Sequence, residues 1–458
     1  MIPGEWKSGE AAVVGLGRSG INASLLLARE GVRVYASDGS SDASAVSGAE
    51  RLTAAGVDAV AGMHDLDRIG RAAVVIASPG VPPDAAPLAQ ARAANVPIVS
   101  EIEVALRVLT NTRYIAITGT NGKTTTTALV GHLLRTLGKR VADAGNIGTP
   151  LTEIALREDR PDWIALELSS FQLHDTPSVD PVVGVLTNLA PDHLDRYASV
   201  DEYYADKALL FRNATARSAW VLNADDASVM AMAASVAGSH RSFGIASEGA
   251  EMRFVRESAG AEIRWSDTRI LAREELPLLG NHNVMNAMAA SLAVIAADPA
   301  HETRASLARI AEGLRSFRPP PHRLEMVGER GGVLWINDSK ATNISSTQVA
   351  VDGMTRPTVL LLGGRHKGEP YTSLADGLRR HVRTVLAYGE AAPIIEKDLE
   401  GVVPVERMDR DFAEVVARAR AIAKPGDVVL LSPACSSYDM FRNYEERGAA
   451  FRRLAGAA

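Results

Sequence analysis

Cysteine is almost missing from this chain: Cys435 is the only one in 458 residues. No intrachain disulfide can form, so a reducing cytoplasm is the natural home. Cys435 reads as a small buried thiol rather than a nucleophile. Basic runs are missing too, and the net charge is −6. Both argue against a nucleic-acid binder. No apolar stretch is long enough to span a bilayer. The opening residues, Met1-Ile2-Pro3-Gly4-Glu5-Trp6-Lys7, lack the apolar core of a signal peptide. No internal repeat and no low-complexity tract interrupts the chain.

What remains is ordinary globular composition. Hydrophobic residues make up 46% and charged residues 23%, enough apolar mass for several cores. The length predicts about two to four domains. One stretch organises the rest. An apolar run, residues 114–117, feeds Thr118-Gly119-Thr120-Asn121-Gly122-Lys123-Thr124-Thr125. A helix follows, with Leu129, Leu133, Leu134 and Leu137 as its apolar face and Gly138 as its stop. This is strand, phosphate loop, helix. Glycines let backbone N–H groups close on phosphate oxygens, and the helix N-terminus adds positive potential there. Lys123 reaches the outer phosphates, and the Thr124 hydroxyl suits Mg²⁺. The P-loop pattern is incomplete, because its first glycine falls at Ile117.

Upstream, a strand at 11–14 leads into Gly15-Leu16-Gly17-Arg18-Ser19-Gly20, then a helix to about residue 30 and a strand at 32–35 ending near Asp38. That is a Rossmann-type dinucleotide fingerprint, acid included. Alone it suggests NAD, but any nucleotide diphosphate satisfies the same physics. A strand at 73–77 ends in Ser78-Pro79-Gly80. A short helix at 102–109 bridges to the phosphate-loop strand.

Downstream, strand ends carry polar groups. Trp163-Ile164-Ala165-Leu166-Glu167-Leu168 is a buried strand holding an acid, and Thr187-Asn188 closes the next one, just before Asp192-His193-Leu194-Asp195. Ligands in open α/β sheets sit beyond the carboxyl ends of strands. Glu167 and His193 are therefore expected to face the phosphate loop as parts of a Mg²⁺ site. Lys207 lies in a helix at 200–211, among apolar residues; spacing alone does not single it out. Residues 240–275 alternate weakly and read as a small antiparallel insertion. Asn283 and Asn286 share one face of a further helix. Pro319-Pro320-Pro321 is a stiff linker. Beyond it, strand-end loops carry Asn337-Asp338-Ser339-Lys340-Ala341-Thr342-Asn343, Gly363-Gly364-Arg365-His366-Lys367-Gly368 and Ser432-Pro433-Ala434-Cys435-Ser436-Ser437.

These motifs resemble the Mur ligases of peptidoglycan synthesis over essentially the whole length. Residues 118–124, Gly145-Asn146-Ile147-Gly148, residues 166–171 and residues 192–195 resemble the family's central motifs. Residues 337–343 resemble the form typical of its D-glutamate-adding members. The resemblance implies three α/β domains. They are a Rossmann-like UDP-sugar domain at 1–106, a central P-loop-type ATPase domain at 107–318, and a mobile Rossmann-like C-terminal domain at 319–458 for D-glutamate. It implies an ATP-dependent amide ligase acting on UDP-N-acetylmuramoyl-L-alanine and D-glutamate through an acyl phosphate, with ATP and two Mg²⁺ ions, as a cytoplasmic monomer. By position, Gly119, Thr120, Asn121, Gly122, Lys123, Thr124 and Thr125 match the ATP loop, and Asn283, Asn286, Arg323 and Asp338 match nucleotide contacts. Thr124, Glu167, His193 and Lys207 match metal-site positions, Lys207 being the lysine the family carbamylates. Arg18, Ser19, Asp38, Gly80 and Asn146 match the UDP-sugar site, and Lys340, Thr342, Lys367, Ser437 and Tyr444 match the D-glutamate site. Two residues depart from the family pattern: Tyr444 stands where phenylalanine is common, and Arg18 where a small or apolar residue is.

An NAD oxidoreductase leaves the Lys123 loop unexplained. A P-loop switch leaves the polar loops after residue 321 unexplained. A folate polyglutamate synthase resembles only the latter two domains.

Overall fold

The computed structural model describes residues 1–192, 196–258, 260–319, 321–408 and 411–456. Three sheets follow one another along the chain. The first contains β1 (Glu10–Val14), β2 (Arg33–Asp38), β3 (Asp58–Ala61), β4 (Val74–Ala77) and β5 (Ile98–Ser100), in the order β3-β2-β1-β4-β5. All its pairings are parallel. The order reverses at β1, so a crevice opens beyond its carboxyl end, where the glycine loop lies. A Cβ at Gly20 would collide with the Gly15 carbonyl, which explains why that helix can start so close to the strand.

The second sheet contains β6 (Arg113–Thr118), β7 (Val141–Gly145), β8 (Trp163–Glu167), β9 (Val183–Leu186), β10 (Ala219–Asn223), β11 (Ser239–Gly244), β12 (Met252–Glu257), β13 (Gly260–Trp265) and β14 (Thr268–Ala272). Its order is β14-β13-β12-β11-β10-β9-β6-β8-β7. The weakly alternating stretch is thus no separate antiparallel insertion. β11 and β12 continue the parallel sheet, and only β13 and β14 turn antiparallel at its edge. β6, which feeds the phosphate loop, sits between β9 and β8. Buried on both faces, it reads as a continuous apolar run.

The helix Lys123–Thr136 buries Leu129, Val130, Leu133 and Leu134. It packs with Asn281–Ala296 and Arg304–Ser316 on one face of this sheet. Each such leucine contributes about 2 kcal/mol. Asn281–Ala296 is apolar on nearly every side because it is covered on nearly every side.

The third sheet contains β15 (Glu325–Arg330), β16 (Val333–Asn337), β17 (Thr358–Gly363), β18 (Val382–Tyr388), β19 (Val405–Arg407) and β20 (Val428–Leu431), in the order β15-β16-β20-β17-β18-β19. Only β15 is antiparallel.

The first two sheets are not independent. One apolar core takes Leu26, Leu27 and Val34 from the first and Leu151, Ile154, Leu166 and Leu173 from the second. The helix Glu101–Val108 runs across the expected division at 106/107 and supplies Ile102 and Val104 to that core. Buried polar bonds reinforce the joint. Glu101 accepts from the N–H and hydroxyl of Thr152 at 3.0 and 2.8 Å, and Glu103 accepts from the Ser178 hydroxyl at 2.6 Å. The third sheet has its own cores. Among the described residues, no helix is long and apolar enough to cross a membrane.

Candidate active site

The phosphate loop closes a cleft of about 590 Å³ between the second and third sheets. Its turn depends on Gly122, which sits at φ +81° as the helix N-cap. A side chain there would also collide with Asn286. Lys123 is half-buried, not the exposed side chain that a turn lysine promises. Its Nζ folds back on the loop, donating to the carbonyls of Gly119 at 2.9 Å and Thr120 at 2.7 Å. The Thr124 hydroxyl accepts from Arg323, which reaches across from the third sheet's side.

Glu167 ends β8 beside β6 and is 1% exposed. Its Oε1 accepts from Asn146 Nδ2 at 2.8 Å, and Oε2 has no hydrogen-bond partner among the described residues. The carboxylate faces four cations, and its charge opposes the fall in pKa that burial imposes on Lys123, Lys207, Arg323 and Lys340. An acid with a free buried oxygen among phosphate-binding groups suits a hard cation. Thr124 and Glu167 are the described cleft-lining groups whose oxygens suit one. His193 lies outside the described residues. Among those described, no cluster of three or more His, Cys, Asp and Glu side chains assembles.

Lys207 lies behind the loop, 1% exposed. Its Nζ donates to the Gly119 carbonyl at 2.7 Å and sits 4.6 Å from the Tyr203 ring centroid. Burial, and next the Lys123 cation, push its pKa well below the ordinary lysine value.

Asn283 and Asn286 line the cleft and bond to each other at 3.1 Å, with Gly280 rather than either asparagine as the helix cap. Thr120, Asn121, Thr125, Asp338, Lys340, Thr342 and Lys367 line it too. Burial pushes the Asp338 carboxyl up to about 7 against the Ser432 hydroxyl and the Leu324 N–H that hold it down. Lys340 Nζ lies 3.8 Å over the Tyr444 ring. Ser437 is buried at 2% exposure and does not line the cleft.

A second pocket, about 550 Å³, opens beyond β1, β2 and β4 and is lined by Arg18, Ser19, Asp38 and Gly80. Asn146 is not with them; it lines the first cleft. Asp38 accepts from the Leu16 and Ser40 N–H groups at 2.7 and 2.9 Å. Both of its oxygens therefore organise the loops of the pocket. Arg18 donates to Glu153 at 2.8 Å and to the Gly148 carbonyl at 3.3 Å, tying the first sheet's helix to the second sheet.

Sequence reasoning noted Asn188 only as a polar strand end and passed over Ser345 and Ser346; all three line the first cleft. The serines carried no such signal.

Comparison with known proteins agrees with this layout. Family models match in chain order: "Mur ligase MurD-like, N-terminal domain" over residues 9–100, "Mur ligase middle domain" over 117–294 and "Mur ligase, glutamate ligase domain" over 322–435. A UDP-N-acetylmuramoylalanine--D-glutamate ligase from Salinibacter ruber is 40% identical over 471 residues, covering 99% of both chains. One from Anaeromyxobacter dehalogenans is 41% identical over 472 residues, again with 99% of each covered. Among solved structures, the UDP-N-acetylmuramate-alanine ligase of Thermotoga maritima superposes with a TM-score of 0.59 at 21% identity, covering 98% of each chain. That structure shares the three-part fold. With matching domains in the same order and full-length identity near 40%, the chain belongs to the Mur ligase family.

Proposed function

We propose that this chain is an ATP-dependent ligase that joins D-glutamate to UDP-N-acetylmuramoyl-L-alanine in peptidoglycan precursor synthesis, in the cytoplasm. The observation that carries the reading is the cleft itself. A phosphate loop and a buried acid, one of whose oxygens has no hydrogen-bond partner among the described residues, face Lys340, Thr342 and Lys367 from another sheet. Relatives bearing that activity's name match along 99% of the chain.

Carboxylate and amine do not condense at neutral pH. A carboxylate oxygen of the UDP-linked substrate attacks the γ-phosphorus, and ADP departs with the electrons of the broken P–O bond. The amine then attacks the acyl carbon and loses a proton, and phosphate leaves. Lys123 offsets charge on the transferring phosphoryl once its Nζ leaves the loop carbonyls for the phosphates. Asn283, Asn286, Arg323 and Asp338 hold the nucleotide. Lys340, Lys367 and Thr342 hold the diacid, with Tyr444 under Lys340 and Ser437 buried behind them; Arg18, Ser19, Asp38 and Gly80 serve the UDP end of the sugar nucleotide, and Asn146, in the first cleft, serves its other end. Mg²⁺, two ions in this reading, supplies further positive charge at the phosphates when bound. The UDP-sugar, ATP and D-glutamate roles fall to residues 1–106, 107–318 and 319–458, the first two parts sharing one core, and the chain works as a monomer.

The test is ADP release from ATP with UDP-N-acetylmuramoyl-L-alanine across an acceptor panel: D-glutamate, L-glutamate, meso-diaminopimelate, L-lysine and L-alanine. D-glutamate should lead by about 10⁴-fold, because buried polar groups reject ligands that leave them unpaired. Comparable rates with diaminopimelate overturn the reading.

A further inference from the structure

Asn121 is anchored in two units at once. Its backbone belongs to the second sheet: its N–H donates to Asn188 Oδ1 at 2.8 Å, and its carbonyl accepts from Thr187 Oγ1 at 2.7 Å and Asn188 Nδ2 at 2.9 Å. Its side chain points the other way. Nδ2 donates to Ser345 Oγ at 3.1 Å, and Oδ1 accepts from Ser346 Oγ at 3.1 Å. Both serines lie in the first turn of the helix Ile344–Asp352, which packs in the third sheet's core through Ile344, Ala350 and Val351.

The circuit continues without a donor conflict. Ser345 Oγ donates a hydrogen bond to Asn343 Oδ1 at 3.3 Å, which also accepts the Ser346 N–H at 2.9 Å. Asn343 Nδ2 then donates to Asp192 Oδ2 at 3.0 Å, back on the second sheet's side. The helix start is thus pinned to its neighbour at two separated points, one of them inside the phosphate loop. Two separated points restrict rotation as well as distance, leaving only rotation about the line that joins them.

We infer that Ser345 and Ser346 are positioning residues for amide formation: through Asn121 they set the orientation of the C-terminal unit on the phosphate loop. The inference rests on the ligase reading above. Its physical basis is the division of labour between the units. The acyl phosphate forms beside the phosphate loop, while the amine is presented from the third sheet's loops. Attack needs the nitrogen about 3–3.5 Å from the acyl carbon, and a misplacement of about 1 Å costs on the order of 100-fold. Phosphoryl transfer also draws on Arg323 of that unit, which meets Thr124 in the loop, but charge stabilisation falls off gradually with distance and tolerates a small misplacement better than nitrogen-to-carbon attack does. Both serines are half-buried, so truncating them removes the bonds without opening a core.

The test uses the full-length protein with Ser345→Ala and Ser346→Ala combined. The thermal midpoint should stay at the parental value, and ADP affinity by calorimetry should weaken by no more than about threefold. Single-turnover ADP formation from ATP and the UDP-linked substrate, without D-glutamate, should stay within about threefold, whereas D-glutamate-dependent amide formation should fall by about tenfold or more. Threonine at both positions keeps the hydroxyls and should restore most of the rate. X-ray scattering of the ADP-bound protein reads the orientation without turnover, and the double alanine variant should show the larger radius of gyration. The inference fails if amide formation is unaffected, if the radius is unchanged, or if affinity, both rates and the midpoint fall together. A parental protein that makes no amide from D-glutamate would overturn the ligase reading instead, and the scattering result would still judge the two serines.

Discussion

Lys207 is the residue whose chemistry departs most from its type. An amine buried beside Tyr203 and faced by the Lys123 cation is held well below the ordinary lysine range. That direction favours the neutral amine, the form that adds to CO₂; in a carbamylated protein an N–C bond would form, the nitrogen would lose a proton, and the side chain would end in a carboxylate. Activity should fall in CO₂-stripped buffer and return with bicarbonate, and ¹³C-bicarbonate should give a carbamate resonance that Lys207→Arg lacks. Full activity without CO₂ would remove the need for it. Lys340 makes a second prediction. Burial, and next the Arg323 cation, bring its ammonium down to about 8. A lysine with a lowered pKa is charged below that value and neutral above it. The KM for D-glutamate should therefore rise by about tenfold per pH unit above 8. Lys340→Arg stays charged and should flatten that rise, whereas an identical profile in the variant would assign the titration elsewhere. The environment of Lys340 was not legible beforehand, whereas the burial of Lys207 was expected from its apolar neighbours and the family resemblance. Still, a lysine between apolar neighbours in sequence usually snorkels to water. Only the fold shows that the Gly119 carbonyl closes the way out.

At the scale of elements, the strand–loop–helix units were plain because each is a local pattern: a short apolar run, a glycine or hydroxyl-rich turn, then helical periodicity. β6, β8 and β16 were all read this way, and their polar ends did mark the cleft. The stretch from 240 to 275 was misread because β11 and β12 pair in parallel through short connections, and alternation along a strand does not tell parallel from antiparallel partners. Ser345 and Ser346 were passed over for another reason: their partner, Asn121, is more than two hundred residues away. A prediction of this scale concerns β9. A Cβ at Gly184 would come within 2.5 Å of the Trp220 ring. That ring cannot step aside easily. Its Nε1 donates to the Ala237 carbonyl at 2.8 Å, and Phe211 meets it edge-on at 4.8 Å. Gly184→Val should therefore lose about 1–3 kcal/mol despite valine's preference for strands. Urea unfolding measures it, and a midpoint equal to the parent's would show that Trp220 has room to move.

For the whole molecule, the shared core makes the first two sheets one thermodynamic unit and leaves the third as another. Calorimetry should resolve two transitions. A fragment of residues 1–318 should fold and reproduce one of them, whereas residues 1–106 alone should aggregate, because Leu26, Leu27 and Ile102 would lose their cover. A single transition in the full chain, with 1–318 unfolded, would refute this. The three-part layout was readable from motif order and from the prolines near 320. The fusion of the first two parts was not, since it depends on which helix faces meet. That fusion has a practical side. The pocket beyond β1 and the cleft beyond β6 are joined by packed hydrocarbon and by the Arg18–Glu153 pair, so the span between them is a fixed length, like the jaws of a locked caliper. An inhibitor that bridges those two pockets can be built stiff and cut to measure. One that bridges to Lys340 and Lys367 must carry a joint, because it reaches into a part of the molecule that no common core holds still.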